Sequence, residues 1–349
     1  MKKSFFVGAL LLCVAVLLVA TTGVAQNQRI GTSAASELLI PIGARDLAQG
    51  GATIAGSSGL ESIHWNPAGV SRMNGTAEGM FSTMRYIADI NVAYGAVGAK
   101  FGEFGSVALS LKNLSFGDIP ATTVDDPEGL AGATFSPSFI TVGLTYSRLI
   151  TDAASVGVTA KIINETIARV SATGLAFDIG VQYHGLLNVP GLQLGVTIKN
   201  IGPQMKYDGS GLLRTATASE GLRPEQFYKS EAAGFELPSM IEIGASYVGA
   251  VQDNMMYTVS GSYTSNNLYV DEYRIGGEYG ISLSGVHLYA RGGYSFLPQV
   301  ENKEDRIFGG TVGFGVAYNT GGTTLSVDYA YRQVDLFGGN NILSLKVGL

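Results

Sequence analysis

The chain has only three imidazoles, His64, His184 and His287, and they stand far apart. None belongs to an H-E-x-x-H motif or a Cys/His cluster of the kind that holds a catalytic metal. The run Gly51-Ala-Thr-Ile-Ala-Gly56-Ser57-Ser58 opens like a phosphate-binding loop, but no lysine follows to reach a phosphate. No G-x-S-x-G elbow presents a nucleophilic serine. A Ser/His pair contributed by neighbouring strands is the one hydrolytic arrangement the sequence leaves open. The stretch Asp125-Asp126-Pro127-Glu128 offers carboxylates to a divalent cation but lacks calcium-loop spacing, and a solvated turn is the plainer reading. These residues predict no catalytic group, no metal site, no cofactor and no enzyme.

The stretch from Pro41 to Met73, PIGARDLAQGGATIAGSSGLESIHWNPAGVSRM, has a different character. It holds the only tryptophan, Trp65, several glycines and an Asn-Pro-Ala-Gly turn at Asn66 to Gly69. Asn66 precedes a proline, which biases it to extended backbone, and Pro67-Ala68-Gly69 favours a turn that the Asn66 amide can bond. A short, glycine-rich, turn-bearing module ahead of a large β body suggests a segment packed inside that body.

Elements on both sides define that body. The chain opens Met-Lys-Lys, runs apolar from Phe5 to Ala20 and ends in small residues up to Ala25, the pattern of a signal peptide cleaved after Ala25. Cys13, the single cysteine, lies in this leader and is preceded by leucines, so a lipoprotein anchor is rejected and the mature chain has no thiol for a disulfide. The net charge of −6 becomes more acidic once Lys2 and Lys3 are removed, and no basic cluster exists, which excludes a nucleic-acid partner. Charged residues are 14% of the chain, against roughly 25% in soluble domains. After Ala25 no apolar run approaches the roughly 20 residues of a membrane helix. A secreted β protein and a membrane β-barrel remain.

From Thr76 onward the hydrophobic pattern has a period of two. In 175–184, Leu175, Phe177, Ile179, Val181 and Tyr183 share one face, while Ala176, Asp178, Gly180, Gln182 and His184 share the other. Apolar side chains on one face and polar or glycine on the other suit a strand between lipid and a polar lumen. The alternation predicts about 14 strands. They fall near 76–86, 90–101, 104–116, 135–148, 154–168, 172–184, 191–201, 238–249, 255–264, 270–280, 285–297, 307–318, 323–335 and 341–349. With both termini periplasmic, connections after odd strands face outward. The long connections 117–134, 202–237 and 298–306 follow the third, seventh and eleventh strands, as an outer-membrane barrel requires. Tyrosines recur near strand ends (Tyr86, Tyr146, Tyr183, Tyr247, Tyr263, Tyr279, Tyr294 and Tyr318), as interfacial girdles do. The 48 glycines are about twice the usual 7%, and those on strands leave room for another segment to approach closely. The last strand alternates as a closing strand should, although it ends in Leu349 and not in an aromatic.

The residues Gly43-Ala44-Arg45, Gly50-Gly51-Ala52 and Trp65-Asn66-Pro67-Ala68-Gly69, ahead of a barrel of this size, resemble the PorV/PorQ family of outer-membrane proteins. They resemble more distantly the FadL-type transporters of hydrophobic compounds. His64 stands where an aromatic would be usual. The resemblance implies an all-β fold: a transmembrane antiparallel barrel of about 14 strands with an N-terminal plug, or hatch, in the outer membrane of a Gram-negative cell. It divides the chain into a signal peptide at 1–25, a plug at 26–74 and a barrel at 75–349. Within the plug, Arg45 is the charge most in need of a lumen carboxylate, and Asp178, Glu242, Glu272 and Glu278 have the right facing parity. The PorV branch implies type IX protein secretion, with secretion-channel components and exported cargo as partners. The FadL branch implies passive uptake of a hydrophobic small molecule, and an inert, lumen-filled barrel is the third reading. The connection 202–237 carries Met205, Tyr207, Leu212, Leu213, Phe227, Tyr228 and Phe235, amphipathic enough to touch a cargo or a lipophilic ligand or to fold over the barrel mouth.

Overall fold

Alternation along each strand gives the protein a lipid face and a lumen face. The computed structural model describes residues 31–216, 224–298 and 306–349. The expected leader, residues 26–30 of the expected plug and part of two long connections lie outside the described residues. Fourteen antiparallel strands close into a barrel. They are β1 (Ala77–Arg85), β2 (Asn91–Lys100), β3 (Ser106–Ser115), β4 (Ser138–Leu149), β5 (Ala154–Ile167), β6 (Val170–His184) and β7 (Leu192–Ile201). The second half comprises β8 (Met240–Gln252), β9 (Met255–Asn266), β10 (Glu272–Leu283), β11 (Val286–Phe296), β12 (Phe308–Thr320), β13 (Thr323–Val334) and β14 (Asn340–Gly348). Every expected boundary falls within three residues of the observed one. The seam pairs β1 with β14, from Glu78↔Gly348 to Arg85↔Asn341.

The lipid face carries a broad apolar band. Phe81, Val97, Leu144, Ile162, Val259 and Phe314 are all more than half exposed, an arrangement only a hydrocarbon surround stabilises. On β6, Phe177, Ile179, Val181 and Tyr183 point outward, while Ala176, Asp178 and Gln182 are fully buried toward the lumen. Tyr146, Tyr183, Tyr279, Tyr294 and Tyr318 lie on the outer surface. Tyr86 differs: it packs inward against the core of Ile40, Leu47, Trp65 and Met84, one residue past the end of β1.

Connections after odd strands include 116–137 and 202–239, each bearing small hairpins, whereas those after even strands are as short as 253–254 and 321–322. In the longest connection, Met205 and Leu237 are buried and Tyr207 and Phe235 pack beside them, while Leu213, Phe227 and Tyr228 stand exposed on the hairpin Leu213–Ala216 with Gln226–Lys229. One half of this loop folds down over the mouth and the other half stands clear. Asp126, in the expected acidic tip, accepts bonds from the Leu130 and Ala131 amides at 2.9 and 2.8 Å, so this carboxylate closes a solvent-facing turn.

The described residues ahead of β1 occupy the lumen as short helical turns: Ser36–Leu39, Ala44–Ala48, Gly59–Glu61, Ser62–Trp65 and Pro67–Arg72. The expectation that both termini lie on the short-turn side holds for the carboxyl end, where Leu349 O accepts from Thr76 N at 2.5 Å. The amino terminus lies outside the described residues, and the first described residues stand at the opposite end. Ser33 bridges to Glu236 in the long connection, and Ala35 N donates to Glu165 near the end of β5. The segment therefore starts at the long-loop end, descends through the lumen and leaves at the short-turn end through Asn74 and Gly75. Nothing in local sequence encodes that direction, because the segment's turns fit either way.

Candidate functional site

The plug is held by its own turns and by polar groups that the strands present to the lumen. Gly43 has positive φ (78°) just before the Ala44–Ala48 turn, and the Glu61 carboxylate fills the space a Cβ would take. Ala44 N donates to Ser344 Oγ at 2.9 Å on β14, and Ala48 O accepts from Thr311 Oγ1 at 3.0 Å on β12. Gly50 and Gly51 also have positive φ. Gly50 lies against the backbone of β10 and β11, and Gly51 lies under the Trp65 ring. Trp65 is buried in the largest apolar cluster, and its Nε1 donates to Ile42 O at 3.2 Å.

Asn66 is fully buried and all its amide groups are used. Nδ2 donates to Ile54 O at 2.8 Å and to Val181 O of β6 at 3.0 Å, while Oδ1 accepts from Ala68 N at 3.1 Å. The last bond caps the Pro67–Arg72 turn, with proline at its first position, where a missing N–H costs nothing. Ala68 O accepts from Ser147 Oγ of β4 at 2.9 Å, and Gly69 packs on Ser57. Arg72 donates to Ala153 O at 2.8 Å at the short-turn rim.

Glycines of the wall mark where the plug backbone touches it. A Cβ on Gly157 would collide with Pro67, on Gly180 with Asn66, on Gly195 with Ile54, on Gly276 with Gln49 and on Gly293 with Gln49 and Gly50. These positions leave room for a close backbone approach. By contrast Gly79 and Gly95, on the lipid face, meet nothing within 4 Å.

Arg45 forms an ion pair with Glu278 of β10 at 3.5 Å, and this carboxylate raises the already high guanidinium pKa further. Glu278 is shared with Arg291, whose second bond goes to Asp328 at 2.6 Å. The other three carboxylates with the right parity turn to wall cations instead. Asp178 pairs with Lys161 at 2.5 Å; Glu242 pairs with Lys199 at 2.6 Å and with Arg274 at 2.9 Å; Glu272 pairs with Arg274 at 2.5 Å. Parity gives the facing of a side chain but not its height, and only Glu278 lies level with Arg45. Buried charges of this kind persist because each is matched by an opposite charge. Beside Arg45, burial pushes the Glu61 carboxyl up to about 7 and raises that of Asp46, which is bonded to Ser57.

Several groups that hold the plug were not singled out by sequence. Lys112 donates to Glu37 O and Ile40 O at 2.7 and 2.5 Å, Lys199 to His64 O at 3.1 Å, and Gln182 to Ile54 O and Ser57 O at 3.2 and 2.9 Å. Each is a long polar residue at lumen parity, a signal visible in the strand pattern but shared with many others.

The plug divides the lumen. Toward the long loops lies a cavity of about 530 Å³ with Leu39, Trp65, Leu114, Phe116, Phe139 and Phe308 in its wall. Toward the short turns are two cavities of about 510 and 400 Å³, both bordered by Arg45, Ser58 and Tyr289. His64 borders the outer cavity, whereas His287 and His184 border different inner ones. His287 bridges Ser282 Oγ at 2.8 Å and Asn319 Nδ2 at 3.0 Å. Among the described residues no group of three or more His, Cys, Asp or Glu is arranged to hold a metal ion.

Comparison with known proteins agrees with this architecture. The family profile described as "Type IX secretion system protein PorV" matches residues 23–218. No curated protein matches the chain in sequence. Among solved structures, the Pseudomonas putida toluene transporter TodX superposes with a TM-score of 0.53 at 11% identity, over 88% of this chain and 97% of that one. The CymD monoaromatic hydrocarbon channel gives 0.52 at 12% identity, with the same coverage. At such identity the likeness is one of fold.

Proposed function

The chain belongs to the PorV family of type IX secretion system proteins, and from that premise we propose that it is a plugged docking barrel in protein export or surface assembly. Its partners on this reading are components of the secretion channel and exported cargo proteins, with outer-membrane lipid around the wall. The observation that carries the reading beyond the family is the seal: Asn66, Ser147, Gln182, Thr311 and Ser344 tie plug to wall on several sides. A barrel so closed works through what it presents to partners more than through an open pore. Gly43, Ala44, Arg45, Gly50, Gly51, Trp65, Asn66, Pro67, Ala68 and Gly69 form the seal. The unit spans residues 26–74 within a barrel of 75–349, after a leader removed at Ala25. Co-purification from the native membrane tests this. The expected result is capture of a large secretion channel or of exported cargo sharing a C-terminal sorting domain. A host genome without type IX components would overturn it.

A second reading, passive uptake of hydrophobic compounds, is favoured by the apolar-walled cavity of about 530 Å³ on the outer side of the plug. Deleting residues 26–74 while the barrel still assembles should then change uptake of a hydrophobic substrate. Unchanged uptake in an assembled deletion would rule this reading out.

A further inference from the structure

Where the leading segment passes into the lumen, one buried group has no donor. Glu37, in the Ser36–Leu39 turn, is only 1% exposed, and neither carboxylate oxygen has a hydrogen-bond partner. The side chain within bonding reach of it is another carboxyl, that of Glu165 on β5. Glu165 is also buried and is already engaged, with Oε1 accepting from Ala35 N at 3.0 Å and Oε2 accepting from Tyr207 OH. The nearest cation is Lys112 on β3, and two of its donors go to Glu37 O and Ile40 O. Lys161 and Lys199 are close enough to Lys112 to repel its charge.

Two facing carboxylates cannot bond each other, because both only accept. One shared proton removes the conflict: it gives Glu37 its missing partner and leaves one negative charge to balance Lys112. The pair also sits at a mechanical junction. Glu165 joins three elements, the leading segment through Ala35, the wall through β5, and the long connection through Tyr207. Around it Ala34, Ala35 and Leu38 pack with Ile163, Met205 and Leu237.

We propose that Glu37 and Glu165 form a proton-binding latch that fastens residues 33–40 across the outer mouth beneath the long connection. With the proton bound, the segment is held and the outer cavity is covered. Loss of the proton places two buried negative charges side by side, and the segment lifts from the wall together with Tyr207. Burial and the neighbouring Glu165 push the Glu37 carboxyl up to about 8, so release is expected on the alkaline side of neutrality. The latch is independent of whether the barrel serves export or uptake.

A nitroxide attached to Ser33→Cys tests this in the full-length protein, which has no other cysteine after the leader. Labelling precedes the titration, so thiol ionisation does not enter the reading. The label should be immobile at pH 6. Its ratio of mobile to immobile signal should rise with pH by up to about tenfold per unit, as one linked proton dictates. Glu37→Gln supplies permanent donors in place of the proton, and its label should stay immobile to pH 9.5. A wild-type spectrum unchanged between pH 6 and 9.5 overturns the latch. So does the same transition in Glu37→Gln. Should Glu37→Gln fail to assemble, Glu165→Gln carries the same test, since its amide oxygen still accepts and its NH₂ donates to Glu37.

Discussion

Replacing Asn66 by aspartate separates two roles held by one side chain. As a cap, Asn66 accepts the Ala68 N–H; as a tie, it donates to Ile54 O within the plug and to Val181 O in the wall. Aspartate caps turns as well as asparagine does, so if capping were the whole role, Asn66→Asp would be silent. The two donated bonds predict the opposite. Asn66→Ala loses a cap worth about 1 kcal/mol and two donated bonds worth about 1 kcal/mol each. Ile54 O keeps its bond from Gln182, which limits the total to about 2–3 kcal/mol. Asn66→Asp keeps the cap but points a buried carboxylate at two carbonyl oxygens, and an uncompensated buried charge costs about 3–5 kcal/mol. Each 1.4 kcal/mol is tenfold in an equilibrium. Alanine should therefore raise the fraction of unseated plug about 30- to 150-fold, and aspartate should raise it further. Open-channel time in planar bilayers, recorded on protein that still migrates as a heat-modifiable barrel, reads that fraction. Aspartate behaving like wild type, within a factor of about three, would reduce Asn66 to a cap and refute the tie to the wall.

Other consequences are open to direct measurement. Gly293→Ala sets a methyl against Gln49 and Gly50 and should destabilise the plugged barrel by about 1–3 kcal/mol, whereas Gly95→Ala, facing open space, should stay within about 0.5 kcal/mol; urea midpoints of heat-modifiable migration compare them. The Glu61 carboxyl, raised to about 7 by burial, binds its proton more tightly in the folded state than in the unfolded chain. Its effect is therefore to lower stability as pH climbs from the ordinary carboxylate range to about 7, with no further change above, and Glu61→Gln should flatten that part of the urea-midpoint profile. A thiol at Ser33→Cys should react with a membrane-impermeant maleimide on intact cells, while one at Asn188→Cys, in a short turn, should react only after the outer membrane is breached. Reversal of that pattern would reverse the orientation of the barrel.

Much of the fold was legible because lipid enforces a strict rule. A strand such as β6 must put Phe177, Ile179 and Val181 outward and Asp178 and Gln182 inward, so period two both finds the strand and assigns its faces. Loop lengths then identify the two ends. The plug was visible as an interruption of that rule, and Asn66-Pro67 announced its own turn. What sequence could not supply is height along the barrel. Asp178, Glu242, Glu272 and Glu278 are equivalent by parity, yet only Glu278 is level with Arg45. The glycines that touch the plug, such as Gly195 and Gly293, share lumen parity with Gly143, which meets only wall residues. The direction of threading escapes the sequence for a related reason: the helical turns between Ser36 and Arg72 have no strand pairing to fix which end they enter.

That direction has a consequence for biogenesis. A chain that crosses the lumen from the loop side to the turn side behaves as a thread through a ring, and the ring is closed only by pairing of β1 with β14. Once that seam has formed, residues 31–73 could enter only by being pulled through end first. The geometry therefore favours an ordered biogenesis, with plug capture before seam closure. A folded domain wider than the lumen, fused ahead of Gly31, would be stranded on the outer side or would stop the ring from closing. A domain fused after Leu349 would do neither.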